Sequence, residues 1–192
     1  MADKQTQNNI INLTDDELMK LVVKKDELAF EVILRRHEDH AFSLAFKIVN
    51  DSELARDVTQ EVFISIWENP SAWKPNAKFS TWLYRVTYNR SLNSIRSRNL
   101  RSFFSFSDPT TDNLDTVPKN PAPDQELIDD ENQGIFNSAF DDLPARQRAA
   151  LHLRYRENLS VGDVAKSLKV TYKSAEALIF RGRKALRDSL VD

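Results

Sequence analysis

Apolar residues recur at helical spacing along most of this chain. They repeat at intervals of three and four from 28 to 49, and a later stripe at intervals of four consists of Leu54, Val58, Val62 and Ile66. Thr14 and Glu17 have the spacing of a capping box, which predicts a helix start. Asn50-Asp51-Ser52 predicts a turn followed by a new helix cap. The pattern therefore predicts helices over 28–49, 53–68 and 80–98.

Between 105 and 131 the helical pattern is lost. This stretch is rich in Asp, Thr and Asn and contains four prolines, Pro109, Pro118, Pro121 and Pro123. Such a composition is typical of a flexible linker. Helical patterning returns near Ile135. The predicted fold is all-α, with one small helical domain over 14–105, a flexible acidic linker over 106–133 and a second helical domain over 134–190.

Composition supports a helical protein with a buried core. The 192 residues are 41% apolar and include only 3 glycines, which argues against barrels, sandwiches and glycine-rich nucleotide loops. The chain has no cysteine, so a disulfide scaffold and a thiolate zinc site are excluded. The sequence has no apolar signal region and no stretch near the length of a membrane span. We expect a cytoplasmic protein without membrane insertion of its own.

Charge is segregated along the chain, although the formal net charge is only -2. Residues 72–107 contain seven basic and no acidic side chains, whereas 108–139 contain one basic and eight acidic side chains. Basic charge returns after 139. Two basic blocks around an acidic spacer predict two contact sites for a polyanion, and solvated helix faces are the alternative.

The first basic block is interleaved with aromatic residues, a combination suited to single-stranded nucleic acid because rings stack on bases and cations pair with phosphates. We expect Trp82 to be buried. The proline-bounded loop over 69–78 is expected to expose Trp73 and Lys74, and it is a plausible pocket for an extruded base. Helical spacing also predicts a polar stripe on the following helix. The candidate contacts are Trp73, Lys74, Lys78, Arg85, Asn89, Asn93 and Arg96.

The carboxyl-terminal part of the chain has the pattern of a helix-turn-helix. A short helix capped by Ser160 is followed by a tight turn at 169–171, and Thr171 can cap the next helix. The turn predicts a positive φ at Lys169, which costs about 1 kcal/mol for a residue other than glycine. The buried stripe of the second helix is predicted to be Ala175, Leu178, Ile179, Gly182 and Leu186.

The outward face of that second helix offers candidate contacts for a DNA major groove. Arg181 can donate to phosphates or to guanine. Phe180 can meet a thymine methyl group or cover the domain edge, and Glu176 can accept from a cytosine amino group or remain solvated. The candidates on this face are Lys173, Glu176, Phe180, Arg181 and Lys184.

The sequence contains little that points to catalysis. His37 and His40 have a spacing that could hold a metal, but a third ligand cluster is not evident nearby, and His152 is isolated. Nucleotide-binding loops, nucleophile elbows and paired carboxylates are not evident either. We expect no enzymatic activity, no metal and no cofactor.

Four motifs occur in an order that resembles bacterial RNA polymerase sigma factors of the extracytoplasmic-function class, in the sigma-70 family. They are the segment 55–63 (ARDVTQEVF), the segment 79–84 (FSTWLY) followed by Asn89, the pair Leu143-Pro144, and the segment 181–186 (RGRKAL). The resemblance covers nearly the whole chain from Leu18 to Leu190. It implies a region 2 helical bundle and a region 4 helix-turn-helix.

The resemblance also implies partners and roles. Asp57, Gln60 and Glu61, which share the outer face of their predicted helix with Ile64, are implied to dock on the core polymerase. Other implied roles are minus-10 readers at Asn89, Asn93 and Arg96, and minus-35 DNA contacts at Arg154, Phe180 and Arg181. The implied partners are the core polymerase, promoter DNA (minus-35 duplex and melted minus-10 strand) and an anti-sigma factor. The implied function is promoter recognition, local melting and initiation for a stress or envelope-signal regulon.

Two other hypotheses stay open at this point. A free-standing helix-turn-helix regulator, with an amino-terminal domain that senses or dimerises, predicts tight duplex binding without polymerase. A helical enzyme that uses His37 or the carboxylates predicts a metal or substrate requirement.

Overall fold

The computed structural model describes residues 10–105 and 131–191, and the helices dominate both ranges. The first range contains α1 (Asp15–Val22), α2 (Glu27–Val49), α3 (Ser52–Glu68) and α4 (Phe79–Ser105), with a short 3₁₀ turn at Pro70–Ala72. The second contains α5 (Glu131–Asp141), α6 (Ala145–Leu151), α7 (Val161–Leu168) and α8 (Tyr172–Val191). The predicted all-α class is confirmed. The predicted linker lies outside the described residues up to 130, and its last three positions already belong to α5.

Side-chain caps fix the helix starts that the sequence predicted. At α1 the Thr14 hydroxyl accepts from the Glu17 N–H, and the Glu17 carboxylate accepts from the Thr14 N–H, which completes the capping box. Asp51 caps α3 by accepting from the Leu54 N–H. Between α2 and α3, Asn50 adopts the left-handed conformation with φ 51°, which ends α2 and lets α3 fold back against it.

The first domain is a bundle in which α2, α3 and α4 pack against one another and α1 packs on α2. The predicted α3 stripe faces the core, where Val58, Val62 and Ile66 are buried. Trp82 is buried as expected. A partly buried hydrogen bond ties α1 to α2, where Asp15 Oδ2 lies 2.8 Å from His37 Nε2. This hydrogen bond from His37 is the main cause of the lowered pKa of Asp15.

The second domain packs α8 across α5, α6 and α7. Gly182 lies at the closest approach, since a Cβ there would stand 2.8 Å from Leu151 Cδ1. Between α6 and α7 the chain forms a π-helical turn over His152–Arg156, where the Glu157 N–H donates to the His152 carbonyl five residues earlier. The wider turn leaves His152 and Leu153 buried.

The two domains pack together along two helix pairs, α2 against α6 and α4 against α7. Ser167 on α7 is fully buried, and its hydroxyl donates to the Thr81 carbonyl on α4 at 3.4 Å. Arg148 on α6 is also buried, and its guanidinium donates to the carbonyls of Lys47 and Ile48 in the last turn of α2. The orphan carbonyls of a helix end suit a cation, because they carry the negative end of the helix dipole.

Candidate nucleic-acid interface

The outer face of α3 carries the four residues that the sequence singled out for docking. Asp57, Gln60, Glu61 and Ile64 are all exposed, opposite the buried stripe of the same helix. Ile64 leaves 47% of its surface to solvent, which is unusual for an isoleucine beside a core. Glu61 accepts from Arg90 on α4 at 2.9 Å. The outer face of α3 is therefore polar except at Ile64, and one of its carboxylates is paired with α4.

An apolar groove of about 700 Å³ lies beside this face, between α2 and α3. Its apolar walls are Phe30, Leu34, Phe42, Phe63, Ile64 and Trp67. Three carboxylates, Glu38, Asp39 and Glu68, also line it. The sequence pattern does not predict this groove, because the apolar positions of α2 have the spacing of core residues, and periodicity does not distinguish a half-buried wall from a buried core.

The loop before α4 places its tryptophan inside, contrary to the prediction that Trp73 is exposed. Trp73 is only 6% exposed. Its indole Nε1 donates to the Ala77 carbonyl at 3.3 Å, and its ring meets Phe79 edge-on with centroids 6.1 Å apart. A partner for the indole N–H within the same loop makes burial of the ring favourable. Lys74, as predicted, is exposed.

A pocket of about 570 Å³ lies between this loop, the start of α4 and α7. Lys74, Lys78 and Arg85 contribute cations to its lining, and Trp82 contributes an aromatic surface. Asp163 and Lys166 close the other side from α7. The structure therefore brings three of the predicted DNA contacts together in one cavity.

Farther along α4 the predicted polar stripe continues. Asn89, Asn93 and Arg96 are exposed and line a smaller cavity of about 200 Å³, and Arg146 and Lys169 of the second domain line its other side. The stripe thus offers two amide groups flanked by three cations. Amides can read adenine edges, while the cations suit phosphates.

The helix-turn-helix forms as the sequence predicts. Lys169 adopts φ 56° and ψ 45° at the end of α7, the left-handed turn that was expected. Thr171 accepts from the Ser174 N–H and so caps α8. Ala175, Ile179 and Gly182 are buried toward α6 and α7. The packing turns the opposite face of α8 to solvent.

The predicted contacts on α8 lie on that exposed face. Phe180 exposes 69% of its surface, which rules out the alternative that it covers the edge of the domain in this structure. The exposed residues on this face are Lys173, Glu176, Phe180, Arg181 and Lys184. Arg154 lies apart from them, in the π turn, where its guanidinium donates to the Leu159 carbonyl at 3.0 Å and lies over the Tyr155 ring.

The histidines considered as metal ligands have other partners. His37 pairs with Asp15, and His40 Nδ1 lies 2.8 Å from the Glu157 carboxylate of the second domain. Within the described part of the chain, His, Asp and Glu do not assemble into a group of three able to hold a metal ion. Over 10–105 and 131–191, no helix is long and apolar enough to cross a bilayer.

Comparison with known families matches both domains. The model of sigma-70 region 2 matches residues 33–101, and the model of sigma-70 region 4 matches residues 134–186. The chain is 28% identical to the RNA polymerase sigma-H factor of Pseudomonas aeruginosa over 182 residues, which covers 92% of this chain and 93% of that protein.

Further relatives point the same way. The chain is 28% identical to the extracytoplasmic-function sigma factor SigW of Bacillus subtilis, over 91% of this chain and 95% of that protein. The fold is similar to that of the sigma factor RpoE from Bartonella quintana, solved in complex with the anti-sigma factor NepR. That likeness has a TM-score of 0.63 at 20% identity and covers 84% of this chain and 96% of the other.

Proposed function

Because the chain belongs to the sigma-70 family, in the extracytoplasmic-function class, we propose that it is a promoter-specificity subunit of bacterial RNA polymerase. In this role it binds the core enzyme, recognises promoter DNA, helps to separate the strands and so directs initiation. It has no catalytic activity of its own, since the polymerase performs the chemistry. The proposal places the protein in the cytoplasm, where polymerase and DNA are found.

The observation that carries the proposal is the separation of three surfaces on one chain. The exposed face of α3, with Asp57, Gln60 and Glu61, adjoins the groove between α2 and α3. The second surface follows α4, where cations and amide groups line two other cavities. The third surface is the exposed, basic face of α8. A subunit that must touch polymerase and two DNA elements at once needs such separate surfaces. A free-standing helix-turn-helix regulator does not account for the region 2 domain.

At the minus-10 element, we propose that the α4 surface captures the separated strand. Unstacking a base costs a few kcal/mol, and neutralised phosphates together with hydrogen bonds to base edges offset part of that cost. Lys74, Lys78 and Arg85 supply the charge, and Asn89 and Asn93 supply base-reading amides. Trp73 acts from within the loop by shaping it, because its ring is buried.

At the minus-35 element, we propose that α8 enters the major groove of duplex DNA. Arg181 and Lys184 are exposed on the outward face, where the exposed ring of Phe180 can contact a thymine methyl group. Arg154 contributes from the π turn, where one of its nitrogens is already engaged by Leu159. The minus-35 base sequence that the protein prefers depends on the side chains of this face, which include the acidic Glu176.

We further propose that an anti-sigma factor regulates the chain, since the structurally similar RpoE was solved with its anti-sigma factor NepR. Such a partner controls a regulon that responds to stress or to an envelope signal.

Transcription by core polymerase with and without the chain tests the proposed function. Sequencing the transcripts that rise when the chain is overproduced supplies a candidate promoter with both elements. We expect specific transcripts from that promoter only when the chain is added. Equal output without the chain contradicts the proposal, and tight duplex binding with no affinity for polymerase favours the free-standing regulator.

A further inference from the structure

A lysine occupies a backbone position that favours glycine. In the turn between α1 and α2, Lys25 has φ 65°, in the left-handed region. The Lys25 N–H donates to the Val22 carbonyl and the Asp26 N–H donates to the Leu21 carbonyl, which is the hydrogen-bond pattern of a Schellman motif at the end of α1. Glycine is the usual residue at the left-handed position of this motif, and a residue with a Cβ is strained there. Strain of this kind points to a function of the side chain.

The Lys25 side chain reaches the end of α3. Its ammonium group donates to the carbonyl of Trp67 and lies 3.5 Å from the carbonyl of Glu68, the last residue of that helix. These carbonyls are at the negative end of the helix dipole, which favours a cation. The same ammonium group lies 5.0 Å from the centroid of the Trp67 ring, within the range of a cation–π contact. Lys25 thus contacts both the backbone and the ring of Trp67.

Trp67 is one of the walls of the groove between α2 and α3. Its ring packs against Phe30 of α2, with ring centroids 5.1 Å apart, and both rings line the groove. Both side chains are only partly buried, so each can present apolar surface to a partner. Tryptophan is enriched among the residues that contribute most to protein–protein binding. By fixing Trp67, Lys25 holds one wall of the groove in place.

The charges around the groove indicate the kind of partner that it fits. Among the residues that line it, three are carboxylates and one is a cation, and all four are exposed: Glu38, Asp39, Glu68 and Arg56. Asp57 and Glu61 continue the acidic surface along α3. Acidic side chains next to apolar walls complement an amphipathic segment with basic flanks.

We propose that Lys25 is a positioning residue for polymerase docking, which holds Trp67 in the orientation that packs against an amphipathic, basic segment of the core polymerase in this groove. The inference rests on the proposed function for the assignment of the outer face of α3 to the polymerase. It extends that docking surface to the turn between α1 and α2. Trp67 makes the contact, and Lys25 acts through it, so the strain at Lys25 serves binding.

Three substitutions of Lys25 separate this role from a purely structural one. Lys25→Gly places the favoured residue in the turn but removes the ammonium group, so the proposal predicts weaker binding and a structural role alone predicts none. Lys25→Met loses the charge and keeps a side chain of similar length, whereas Lys25→Arg keeps a cationic donor and should retain binding. Lys24→Met is the control, because it removes the same charge from an exposed neighbouring lysine. Far-UV circular dichroism checks that each full-length variant retains its helices.

The position of Trp67 can be measured without any partner. The chain contains three tryptophans, which are labelled with fluorotryptophan and observed by fluorine NMR, and Trp67→Phe assigns the Trp67 signal. We expect Lys25→Gly and Lys25→Met to shift or broaden this signal, and Lys24→Met to leave it at its wild-type position. Trp73 and Trp82 are buried, so their signals should not move in any folded variant. An unmoved Trp67 signal in Lys25→Gly and Lys25→Met overturns the proposal.

Binding to core polymerase is measured by fluorescence titration with labelled chain. We expect Lys25→Gly and Lys25→Met to bind roughly fivefold more weakly, and Lys25→Arg and Lys24→Met to bind as the wild type does. Trp67→Leu should weaken binding at least as much. Adding Lys25→Met to Trp67→Leu should cause no further loss, because Lys25 acts through Trp67. Wild-type affinity of the folded Lys25→Gly and Lys25→Met proteins overturns the proposal, as does a full additional loss in the double variant.

Failure of this inference differs from failure of the proposed function. Normal polymerase binding and promoter-dependent transcription by the wild type, with unchanged affinity of the Lys25 variants, refute only the role of Lys25. A wild-type chain that does not bind core polymerase refutes the proposed function, and the docking role of Lys25 with it.

Discussion

Arg148 donates a 2.9 Å hydrogen bond to the carbonyl of Ile48, a residue that lies one hundred positions earlier in the chain and in the other domain. The same guanidinium also donates to the carbonyls of Asp141 and Leu143, at the junction of α5 and α6. One buried side chain therefore donates hydrogen bonds both to carbonyls at the end of α2 and to carbonyls in the turn before α6. Burial lowers the pKa of Arg148, and the nearby Asp141 and Asp142 charges oppose that effect.

Replacing this arginine should destabilise the whole chain. Arg148→Met keeps most of the side-chain volume but leaves the carbonyls without their donor, and we expect a loss of about 3 kcal/mol in the free energy of unfolding. Urea unfolding followed by circular dichroism measures it. Arg187→Met, at an exposed arginine of α8, should change the value by no more than about 0.5 kcal/mol. Equal effects of the two variants contradict the role given to Arg148.

Close packing at Gly182 predicts a second stability effect. An added Cβ meets Leu151, which is buried and cannot move aside freely, so Gly182→Ala should cost about 1–3 kcal/mol. Gly162→Ala is the control, because its Cβ finds only the Ser160 hydroxyl at 3.7 Å. That variant should be neutral or more stable by up to about 1 kcal/mol, since alanine favours a helix. Thermal unfolding of both variants checks the difference, and a stable Gly182→Ala protein contradicts the packing argument.

The outer face of α3 predicts a loss of polymerase binding without a loss of fold. Replacing Asp57 and Glu61 together by alanine removes two exposed carboxylates, one of which has only the exposed partner Arg90, so stability should fall by less than about 1 kcal/mol. Affinity for core polymerase should fall at least about tenfold, corresponding to about 1.4 kcal/mol. Binding is measured by fluorescence titration with labelled chain. Glu53→Ala on the same helix should bind as the wild type does, and unchanged affinity of the double variant removes the docking role.

The exposed face of α8 predicts a DNA effect at Arg181. Arg181→Ala should weaken binding of polymerase holoenzyme to the minus-35 element by about 1–3 kcal/mol. A scan of minus-35 base substitutions then separates two modes: a loss confined to one base pair indicates base reading, and a uniform loss indicates a phosphate contact. Arg35→Ala, at an exposed arginine of α2 that pairs with Glu31, is the control. An Arg181→Ala holoenzyme with wild-type affinity contradicts the assignment of this face.

The interdomain carboxylate predicts how stability depends on pH. The pKa of Glu157 is about 2 in the folded chain, below its usual 4.5, so the folded state binds fewer protons at this site than the unfolded state does. Its contribution to stability is present above about pH 4.5 and is lost as the pH falls toward 2. The unfolding midpoint of the wild type should therefore approach that of Glu157→Gln between pH 5 and pH 3. The pKa of Asp15 is also lowered. Because Asp15 is present in both proteins, its contribution to the pH dependence cancels in the comparison. A gap that stays constant over this range contradicts the effect.

Sequence patterns predicted the helices well, because their signals are local. The capping box at Thr14 and Glu17, the turn at Asn50 and the left-handed Lys169 each depend on residues within a few positions of one another. The face of α3 and the outward face of α8 follow from the same helical period. These elements carry most of the surfaces in the proposed function.

Local patterns did not predict the contacts between residues that are distant in the sequence. Trp73 was expected in solvent because prolines bound its loop, yet the Ala77 carbonyl and Phe79 make a site for its ring. The partners of Glu157 are more distant still, since Tyr84 precedes it by 73 positions. Linear periodicity carries no information on which of two domains a charged residue faces. Such contacts appear only when the helices are assembled.

The π turn over His152–Arg156 fits one more residue into a turn than an α-helix does. The turn thereby absorbs an additional residue with little change in the direction of the chain that follows. Deleting one residue there removes this accommodation and displaces Glu157, which directly follows the turn, from its position beside His40 of the first domain. A change in length at this turn therefore disturbs the contact between the domains more than a conservative change of residue does.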